Sequence, residues 1–344
     1  MIRMNNDYNH AAHPAVLKAL WESQNTAYPG YGEDSWCEKA AKAISSHLGG
    51  IETKIYFFVG GTPANQNLID AALHPWQSVL SAENGHINAH EGGSIEHIGH
   101  KVIALPGKEG KLTATAIRSA MEDYEKSGKA EWLTQPKLVY ISSPSEYGTI
   151  YSLEELTAIH EVCAKYGLYL FLDGARMAYY LTAPGCDVTL ADIARLTDAF
   201  YIGGTKCGAL MGEAMVLVNP ALWAYFRTSM KQNGSILAKG WLLGLQFYTL
   251  FKDNLYFALA QKANTQAQRI QKAFLDKDIP LLVNSPTNQQ FVIVTNAQAA
   301  QLQKKVICEP EGSVDDGHLC LRLCTSWSTT DEEIEAVLEA IRAL

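Results

Sequence analysis

The sequence has no long apolar run, no secretory signal and no excess of positive charge. No stretch reaches the ~18 apolar residues that a membrane-spanning helix needs, and the N-terminal residues lack the apolar core of a signal peptide. The net charge of −8 at pH 7 argues against a nucleic acid or an anionic membrane, because both require a basic surface on their partner. We therefore expect no membrane partner and no nucleic-acid partner.

Cysteine is scarce and unpatterned. The seven cysteines are odd in number and form no C-x-x-C pair, which is typical of reduced thiols rather than of a disulfide framework. This usage predicts a cytoplasmic location.

The 344 residues are enough for one large domain and a smaller one. Residues 1–35 are polar and turn-rich, and we expect them to form an N-terminal arm that packs across the body or a neighbouring subunit. Short apolar runs alternate with helical patterns over residues 36–250, which predicts an α/β large domain with a mostly parallel sheet. Separated strands between helices over residues 251–344 predict a small C-terminal α+β domain.

An acid and a lysine each follow a buried apolar run. Residues 169–172 end at Asp173, and residues 199–202 lead through two glycines and a threonine to Lys206. This spacing predicts neighbouring parallel strands, and ligands of open α/β sheets bind at the carboxyl ends of such strands. A lysine that forms an imine and a carboxylate that pairs with a pyridinium nitrogen are what pyridoxal phosphate requires, so the pair predicts that cofactor.

A glycine pair, Gly60 and Gly61, stands between an apolar run and a helical pattern. We expect Thr62 to be the N-cap of that helix and Pro63 to occupy its first position. Backbone N–H groups at such a helix start can approach an anion. The motif permits two interpretations, a phosphate cup or an ordinary turn, and taken alone it favours the turn.

Four histidines lie close together in the sequence. His86 could stack on a cofactor ring, whereas His86 with His90, and His97 with His100, have spacings at which a helix can share zinc. No H-E-x-x-H motif and no third ligand accompanies them. We interpret the last three as surface histidines and predict no metal site.

Near the C-terminus, Arg322 lies in an alternating stretch, on the face opposite its leucines. The guanidinium could face solvent or clamp a carboxylate with its planar fork, and the pattern leaves both open. Thr330 and Glu333 predict a capping box at the start of the last helix.

The order of these motifs resembles the pyridoxal-phosphate enzymes of the aspartate-aminotransferase-like fold (fold type I). More specifically, the chain resembles the low-specificity L-threonine aldolases of the β-eliminating lyase group, from Asn6 to the final helix. The likeness is carried by residues 29–34, 58–62, 172–176, 192–195 and 203–209. It implies cleavage of β-hydroxy-α-amino acids such as L-threonine and L-allo-threonine to glycine and an aldehyde.

The resemblance implies cofactor-binding roles for individual residues. Lys206 would hold pyridoxal phosphate covalently, and Asp173 would keep its ring nitrogen protonated. His86 would stack on the ring, and Gly61 and Thr62 would bind the phosphate.

The resemblance also implies substrate contacts. Arg176, which would lie against the cofactor as well, and Arg322 would hold the substrate carboxylate, with Asn6 nearby. Tyr31 would approach the site across a subunit boundary, because the family builds its sites at a dimer interface. This implies a homodimer or a homotetramer.

The chain departs from the family at three places. Asn6 stands where many relatives have serine, and Lys239 stands near a position where an arginine would reach a neighbour's phosphate. The loop over residues 143–148 lacks the histidine that some relatives offer as a base, and it carries Glu146 and Tyr147 instead. His86, or a water that it holds, is therefore the predicted base for the substrate hydroxyl.

Other reactions would use the same Lys206 and Asp173. A β-lyase acting on cysteine or serine, a racemase and an aminotransferase are the alternatives within pyridoxal chemistry. A non-catalytic homologue and a metal-dependent hydrolase are the alternatives outside it. Lys206 and Asp173 therefore predict the cofactor, but they do not indicate which of these reactions is catalysed.

Overall fold

The structure is a computed structural model that describes all 344 residues. No helix in it combines the length and the apolar character required to cross a membrane. The twelve strands are β1 (Ile2–Arg3), β2 (Lys54–Phe58), β3 (Gln77–Ala82), β4 (Lys101–Leu105), β5 (Gln135–Ser142), β6 (Tyr169–Asp173), β7 (Ala199–Gly203), β8 (Glu213–Leu217), β9 (Gln289–Thr295), β10 (Val306–Ile307), β11 (Glu309–Ser313) and β12 (His318–Cys324).

Fourteen α-helices connect and cover these strands. They are α1 (Pro14–Ser23), α2 (Ser35–Ser45), α3 (Gly61–Ala72), α4 (His86–Ala89), α5 (Ser94–His97), α6 (Ala114–Lys126), α7 (Leu153–Tyr166), α8 (Met177–Leu181), α9 (Leu190–Leu196), α10 (Phe226–Gln232), α11 (Trp241–Phe251), α12 (Leu255–Leu275), α13 (Asn296–Leu302) and α14 (Asp331–Arg342). Short 3-10 helices cover Ala130–Trp132 and Pro220–Leu222.

A seven-stranded sheet in the order β2-β8-β7-β6-β5-β3-β4 forms the centre of the molecule. The strands from β4 to β7 in this order are parallel, and β8 runs antiparallel to both β7 and β2. β6 and β7 are parallel neighbours, with Phe171 opposite Ala199, as the sequence predicted. The α/β class with a mostly parallel sheet is thereby confirmed.

Separate apolar clusters cover the two faces of this sheet. One contains 41 buried residues and the other contains 18. In β5, Leu138 and Tyr140 belong to the smaller cluster, whereas Val139 and Ile141 belong to the larger one, because successive side chains of a strand point to opposite faces. Burial on both faces explains why these strands appear in the sequence as continuous apolar runs.

A three-stranded antiparallel sheet, β11-β12-β9, forms a second and smaller layer near the C-terminus. β1 joins this part of the molecule by pairing in parallel with β10, so that Ile2 lies opposite Val306. The capping box predicted at α14 is present, since Thr330 Oγ1 accepts from Glu333 N and the Glu333 carboxylate accepts from Thr330 N. The domain boundaries at residues 35/36 and 250/251 stay predictions.

The start of α3 differs from the prediction. The helix begins at Gly61 with Gly60 as its N-cap, so Thr62 lies inside the first turn and Pro63 is the third helical residue. The predictions that Thr62 caps the helix and that Pro63 occupies its first position were both wrong. Gly60 takes the extended cap conformation and its carbonyl accepts from Ala64 N, which moves the helix start toward the glycine pair. No side chain caps this end, so its first amides remain available to a ligand.

Candidate active site

A cavity of about 260 Å³ lies at the carboxyl ends of β5, β6 and β7. Parallel strands converge there, and so do the side chains and loops that follow them. Six residues predicted from the sequence line this cavity: Gly61, Thr62, His86, Asp173, Arg176 and Lys206.

Asp173, the last residue of β6, is buried, and both of its carboxylate oxygens accept hydrogen bonds. Its Oδ1 accepts from Ala175 N at 3.0 Å, and its Oδ2 accepts from Tyr140 Oη at 2.6 Å and from Asn65 Nδ2 at 3.1 Å. Three donors from three elements fix the orientation of the carboxylate, which leaves it suited to accept from a cationic ring nitrogen. Neither Tyr140 nor Asn65 was predicted from the sequence.

His86 begins α4, and a buried carboxylate holds it. Its Nδ1 lies 2.7 Å from Glu91 Oε1, and Glu91 also accepts from Asn65 Nδ2 at 2.8 Å and from Ser94 Oγ at 2.7 Å. Because a carboxylate only accepts, Nδ1 is the protonated nitrogen and Nε2 is free. Asn65 therefore donates to Glu91 on one side and to Asp173 on the other.

The electrostatic surroundings of His86 favour its cationic form. Burial lowers the pKa of the imidazole, but the hydrogen bond that His86 donates to Glu91 and the charges of Glu146 and Asp173 outweigh it, so the pKa lies above the ordinary 6.5. Glu146 lines the same cavity from the loop after β5.

Lys206 follows β7 and lies half-buried in the cavity. Its backbone carbonyl accepts from Tyr179 Oη at 2.7 Å, which fixes the loop that carries it. Burial, together with the positive charge of Arg176, lowers the pKa of the amine. A larger share of Lys206 is consequently in the neutral, nucleophilic form that imine formation needs.

The start of α3 forms the opposite end of the cavity. A Cβ added to Gly61 would lie 2.8 Å from Tyr201 Oη, so only glycine leaves this cradle open. The uncapped amides of the first turn and the positive end of the helix dipole favour an anion here. Glu213, which the sequence analysis did not single out, lines the cavity beside them.

Arg176 forms a bidentate ion pair with Asp7. The Nε–Oδ2 distance is 2.6 Å and the Nη2–Oδ1 distance is 3.1 Å, and Asn288 Nδ2 donates to Asp7 Oδ2 at 2.9 Å. Burial by itself would raise the pKa of Asp7, but the charges of Arg176 and Lys206 hold it below its usual value. The N-terminal segment thus orients the arginine, and Nη1 of the guanidinium makes no bond to Asp7.

Asn6 and Arg322 do not line this cavity. Asn6 Oδ1 accepts from Tyr8 N at 3.1 Å, and Tyr8 is the lining residue of that segment. Arg322 lines a second cavity of about 420 Å³, where its Nη1 lies 3.1 Å from Glu311 Oε1. Glu146 borders both cavities, so they adjoin.

Tyr31 and Lys239 lie on another part of the surface. Tyr31 is 48% exposed with a φ of 63°, and its amide donates to Ala238 O at 3.0 Å. Arg227 Nη2 donates to the Tyr31 carbonyl, and Lys231 Nζ lies 4.9 Å from the centre of its ring. Lys239 is exposed beside this patch. Within one chain, these residues do not reach the cavity.

The histidine cluster does not assemble into a ligand set. The rings of His86 and His90 lie 5.6 Å apart, and His100 Nδ1 contacts the Gln77 carbonyl. His90 and His97 are exposed as predicted, but His100 is buried, so the prediction that it lies at the surface was wrong. No group of three or more His, Cys, Asp and Glu side chains has an arrangement that could hold a metal ion.

The geometry can be compared with known proteins. The sequence profile of the β-eliminating lyases matches residues 15–297 of the chain. The chain belongs to the β-eliminating lyase family. Pyridoxal phosphate is the cofactor that this membership indicates, in agreement with the prediction from Asp173 and Lys206.

Individual relatives agree with this membership. A threonine aldolase from Leishmania major has a solved structure that superposes with a TM-score of 0.97, at 42% identity over 100% of this chain and 99% of that one. A low specificity L-threonine aldolase from Pseudomonas sp. (strain NCIMB 10558) is 28% identical over 96% of this chain and 94% of its own. The structure of a Thermus thermophilus aspartate aminotransferase superposes with a TM-score of 0.73, at 16% identity over 100% of this chain and 92% of that one. At this identity the likeness shows the shared fold alone.

The residues present fit pyridoxal phosphate. The Gly61 cradle and the free α3 amides suit a phosphate, and Asp173 offers an oriented carboxylate for a ring nitrogen. Lys206 offers an amine of lowered pKa between these two ends. The lining thus supplies each of the three attachments that the cofactor requires.

Proposed function

We propose that this β-eliminating lyase family member cleaves β-hydroxy-α-amino acids, L-threonine and L-allo-threonine among them, to glycine and an aldehyde. The proposal is supported by one observation above all. Lys206, Asp173 and His86 line one cavity in a chain that is 42% identical, over its full length, to a threonine aldolase from Leishmania major.

Five cavity residues would hold the cofactor. Lys206 would hold pyridoxal phosphate through its amine, and Asp173 would pair with the ring nitrogen. Gly61 and Thr62 would receive the phosphate at the start of α3, and His86 would lie against the ring. The bound cofactor would supply an electron sink for the pair released when the Cα–Cβ bond breaks.

Two arginines bind the substrate carboxylate in this proposal. The Arg176 side chain is already oriented by Asp7, which leaves Nη1 as an unused donor. Arg322 approaches from the adjoining cavity, where its present partners are Glu311 and the Asn5 carbonyl. A bidentate guanidinium is well matched to a carboxylate, and Asn6 adds a polar group nearby.

His86 removes the proton from the substrate hydroxyl. Its Nδ1 is committed to Glu91, so Nε2 is the atom that accepts the proton, directly or through one water. The buried Glu91 carboxylate stabilises the imidazolium that results. Glu91 is therefore a positioning residue, and His86 is the catalytic base.

The active site is completed by a second subunit, in a homodimer or a homotetramer. Tyr31 is 48% exposed and carries a backbone conformation that its neighbours must hold in place. An ordered, exposed aromatic beside Arg227 and Lys231 is suited to insertion into a partner's site. Mixing the inactive variants Lys206→Ala and Tyr31→Ala would restore activity only if the two residues act in one site from different chains.

A cytoplasmic location is also proposed. All seven cysteines are free, and burial raises the pKa of every one of their thiols, which suits a reducing compartment.

A substrate panel tests the proposed reaction. The purified enzyme is incubated with threonine, allo-threonine and phenylserine, and glycine and aldehyde are both quantified. Equal amounts of the two products are expected from each substrate that is cleaved. Pyruvate release from cysteine or serine, without aldehyde release from the panel, would instead identify a β-lyase.

A further inference from the structure

Glu213 occupies a position between the two ends of the cofactor site. It begins β8, directly opposite Gly203 in β7 and Phe58 in β2. β2 leads to the Gly61 cradle and β7 leads to Lys206, and residues paired across strands point to the same face of a sheet. Its carboxyl group therefore lies between the start of α3 and the lysine loop.

The contacts of this carboxyl group are all neutral. Oε1 accepts from Thr205 Oγ1 at 2.8 Å, and Oε2 accepts from Gly204 N at 3.2 Å. Glu213 is 4% exposed and belongs to no salt bridge, unlike the buried Asp7 and Glu91, which face Arg176 and His86. An ionised carboxylate buried without a salt-bridge partner is costly, so this site favours the protonated acid.

The surrounding charges act on Glu213 in both directions. The titratable groups that face it are Asp173 from β6, Tyr201 from β7, Lys206 from the loop after β7 and Tyr256 from α12. Burial raises the pKa of Glu213 to about 8 and Asp173 adds to the rise, whereas Thr205 and Lys206 lower it. Burial prevails, and the group keeps its proton at neutral pH.

We propose that Glu213 serves the phosphate end of the cofactor site as a neutral carboxylic acid. In the protonated form its O–H adds a donor beside the α3 amides, whereas in the ionised form its charge repels the phosphate. Affinity for pyridoxal phosphate then falls as Glu213 loses its proton. This inference requires that pyridoxal phosphate binds in the cavity, as the proposed function states, and it does not depend on which reaction is catalysed.

The test compares the dissociation constants of pyridoxal phosphate for wild-type apoenzyme and for Glu213→Gln across pH. Glutamine keeps the size and a donor but cannot ionise. The titration of the cofactor itself is common to both proteins, so it cancels in the ratio of wild-type to variant dissociation constants, and the pyridoxal control below detects any change in the titration of Lys206. Linkage at a pKa of about 8 predicts that this ratio rises roughly tenfold between about pH 7 and about pH 9.

Pyridoxal, which lacks the phosphate, is the matched control ligand. For pyridoxal, the ratio of wild-type to Glu213→Gln dissociation constants is expected to stay constant over the same pH range. A constant ratio for pyridoxal phosphate would overturn the inference. An equal rise of the ratio with pyridoxal would show that Glu213 acts on Lys206 instead. Failure to bind pyridoxal phosphate at any pH would overturn the proposed function as well, whereas binding with a flat ratio would leave that function standing.

A second measurement needs no variant. In the wild-type protein, the dissociation constant of pyridoxal phosphate divided by that of pyridoxal is also expected to rise roughly tenfold between about pH 7 and about pH 9. This comparison decides the question if Glu213→Gln does not fold, and a constant quotient would contradict the inference.

Discussion

Glu91 Oε1 lies 2.7 Å from His86 Nδ1, and its side chain is fully buried. A buried carboxylate at this distance selects the tautomer of the imidazole and stabilises its protonated form. The pairing leaves Nε2, the nitrogen proposed to accept the substrate proton, free on the other side of the ring. Several consequences of this and of the neighbouring contacts can be measured.

Replacing Glu91 by glutamine should change the pH dependence of turnover. The pKa of His86 lies above 6.5 partly because of Glu91, and the base must be unprotonated, so wild-type activity is lost as pH falls through this raised pKa. In Glu91→Gln we expect the acid limb of kcat to move to lower pH, with a lower plateau, because the partner that raises the pKa of His86 has lost its charge. Glu96→Gln, an exposed glutamate of α5, is the matched control. An unshifted limb would show that another group is the base.

Replacing Lys206 by alanine should abolish both covalent attachment of the cofactor and turnover. The amine is the only group in the proposed mechanism that can hold pyridoxal phosphate as an imine. Absorbance spectroscopy after addition of cofactor reports the attachment, and aldehyde release reports the activity. Lys165→Ala, on the exposed end of α7, should behave as wild type. Near wild-type turnover by Lys206→Ala would contradict the central assignment.

Replacing Gly61 by alanine should weaken cofactor binding. The new Cβ would lie 2.8 Å from Tyr201 Oη, so the cradle must deform and we expect the dissociation constant to rise roughly tenfold or more. Gly60→Ala is the matched control, because its Cβ would meet nothing closer than Pro63 Cδ at 4.0 Å. Removing the hydroxyl in Gly61→Ala/Tyr201→Phe should restore part of the affinity. Equal effects of the two single substitutions would exclude this steric explanation.

Replacing Asp7 by asparagine should lower the free energy of unfolding at neutral pH. It leaves the Arg176 guanidinium, 11% exposed, without its counter-ion, and losing one partner of a buried pair costs about 3–5 kcal/mol. Urea denaturation measures the difference, and Asp253→Asn, in an exposed pair, is the control. Because the folded pKa of Asp7 is depressed, its contribution is present above the ordinary pKa of 3.8 and is lost as pH falls through the folded pKa. The two proteins should therefore converge in stability at low pH.

The sequence was sufficient to predict the strand-end residues. Asp173 and Lys206 each follow a continuous apolar run, and the parallel pairing of β6 and β7 then brings them to one edge of the sheet. His86 was found because it follows β3 in the same way. Such predictions need only the rule that parallel strands present their carboxyl ends together.

The supporting contacts could not be predicted in this way. Asn65 lies inside α3, and its amide donates to both Glu91 and Asp173, which belong to other parts of the chain. A helical sequence pattern does not indicate such contacts. Glu213 did leave a signal, a single acid at the start of an otherwise apolar strand. Thr62 was misassigned as the N-cap because threonine outranks glycine in cap preference, while the extended Gly60 took that position.

The pairing of β1 with β10 has a consequence for the order of folding. Ile2 can find Val306 only after the chain has been made almost to its end, and closing so long a loop is entropically unfavourable until the later segment is structured. Asp7 follows β1 closely, so it reaches Arg176 only when the C-terminal layer has formed. The proposed active-site cavity is thus expected to be among the last parts of the molecule to become complete, and recovery of activity during refolding should lag behind recovery of helical structure.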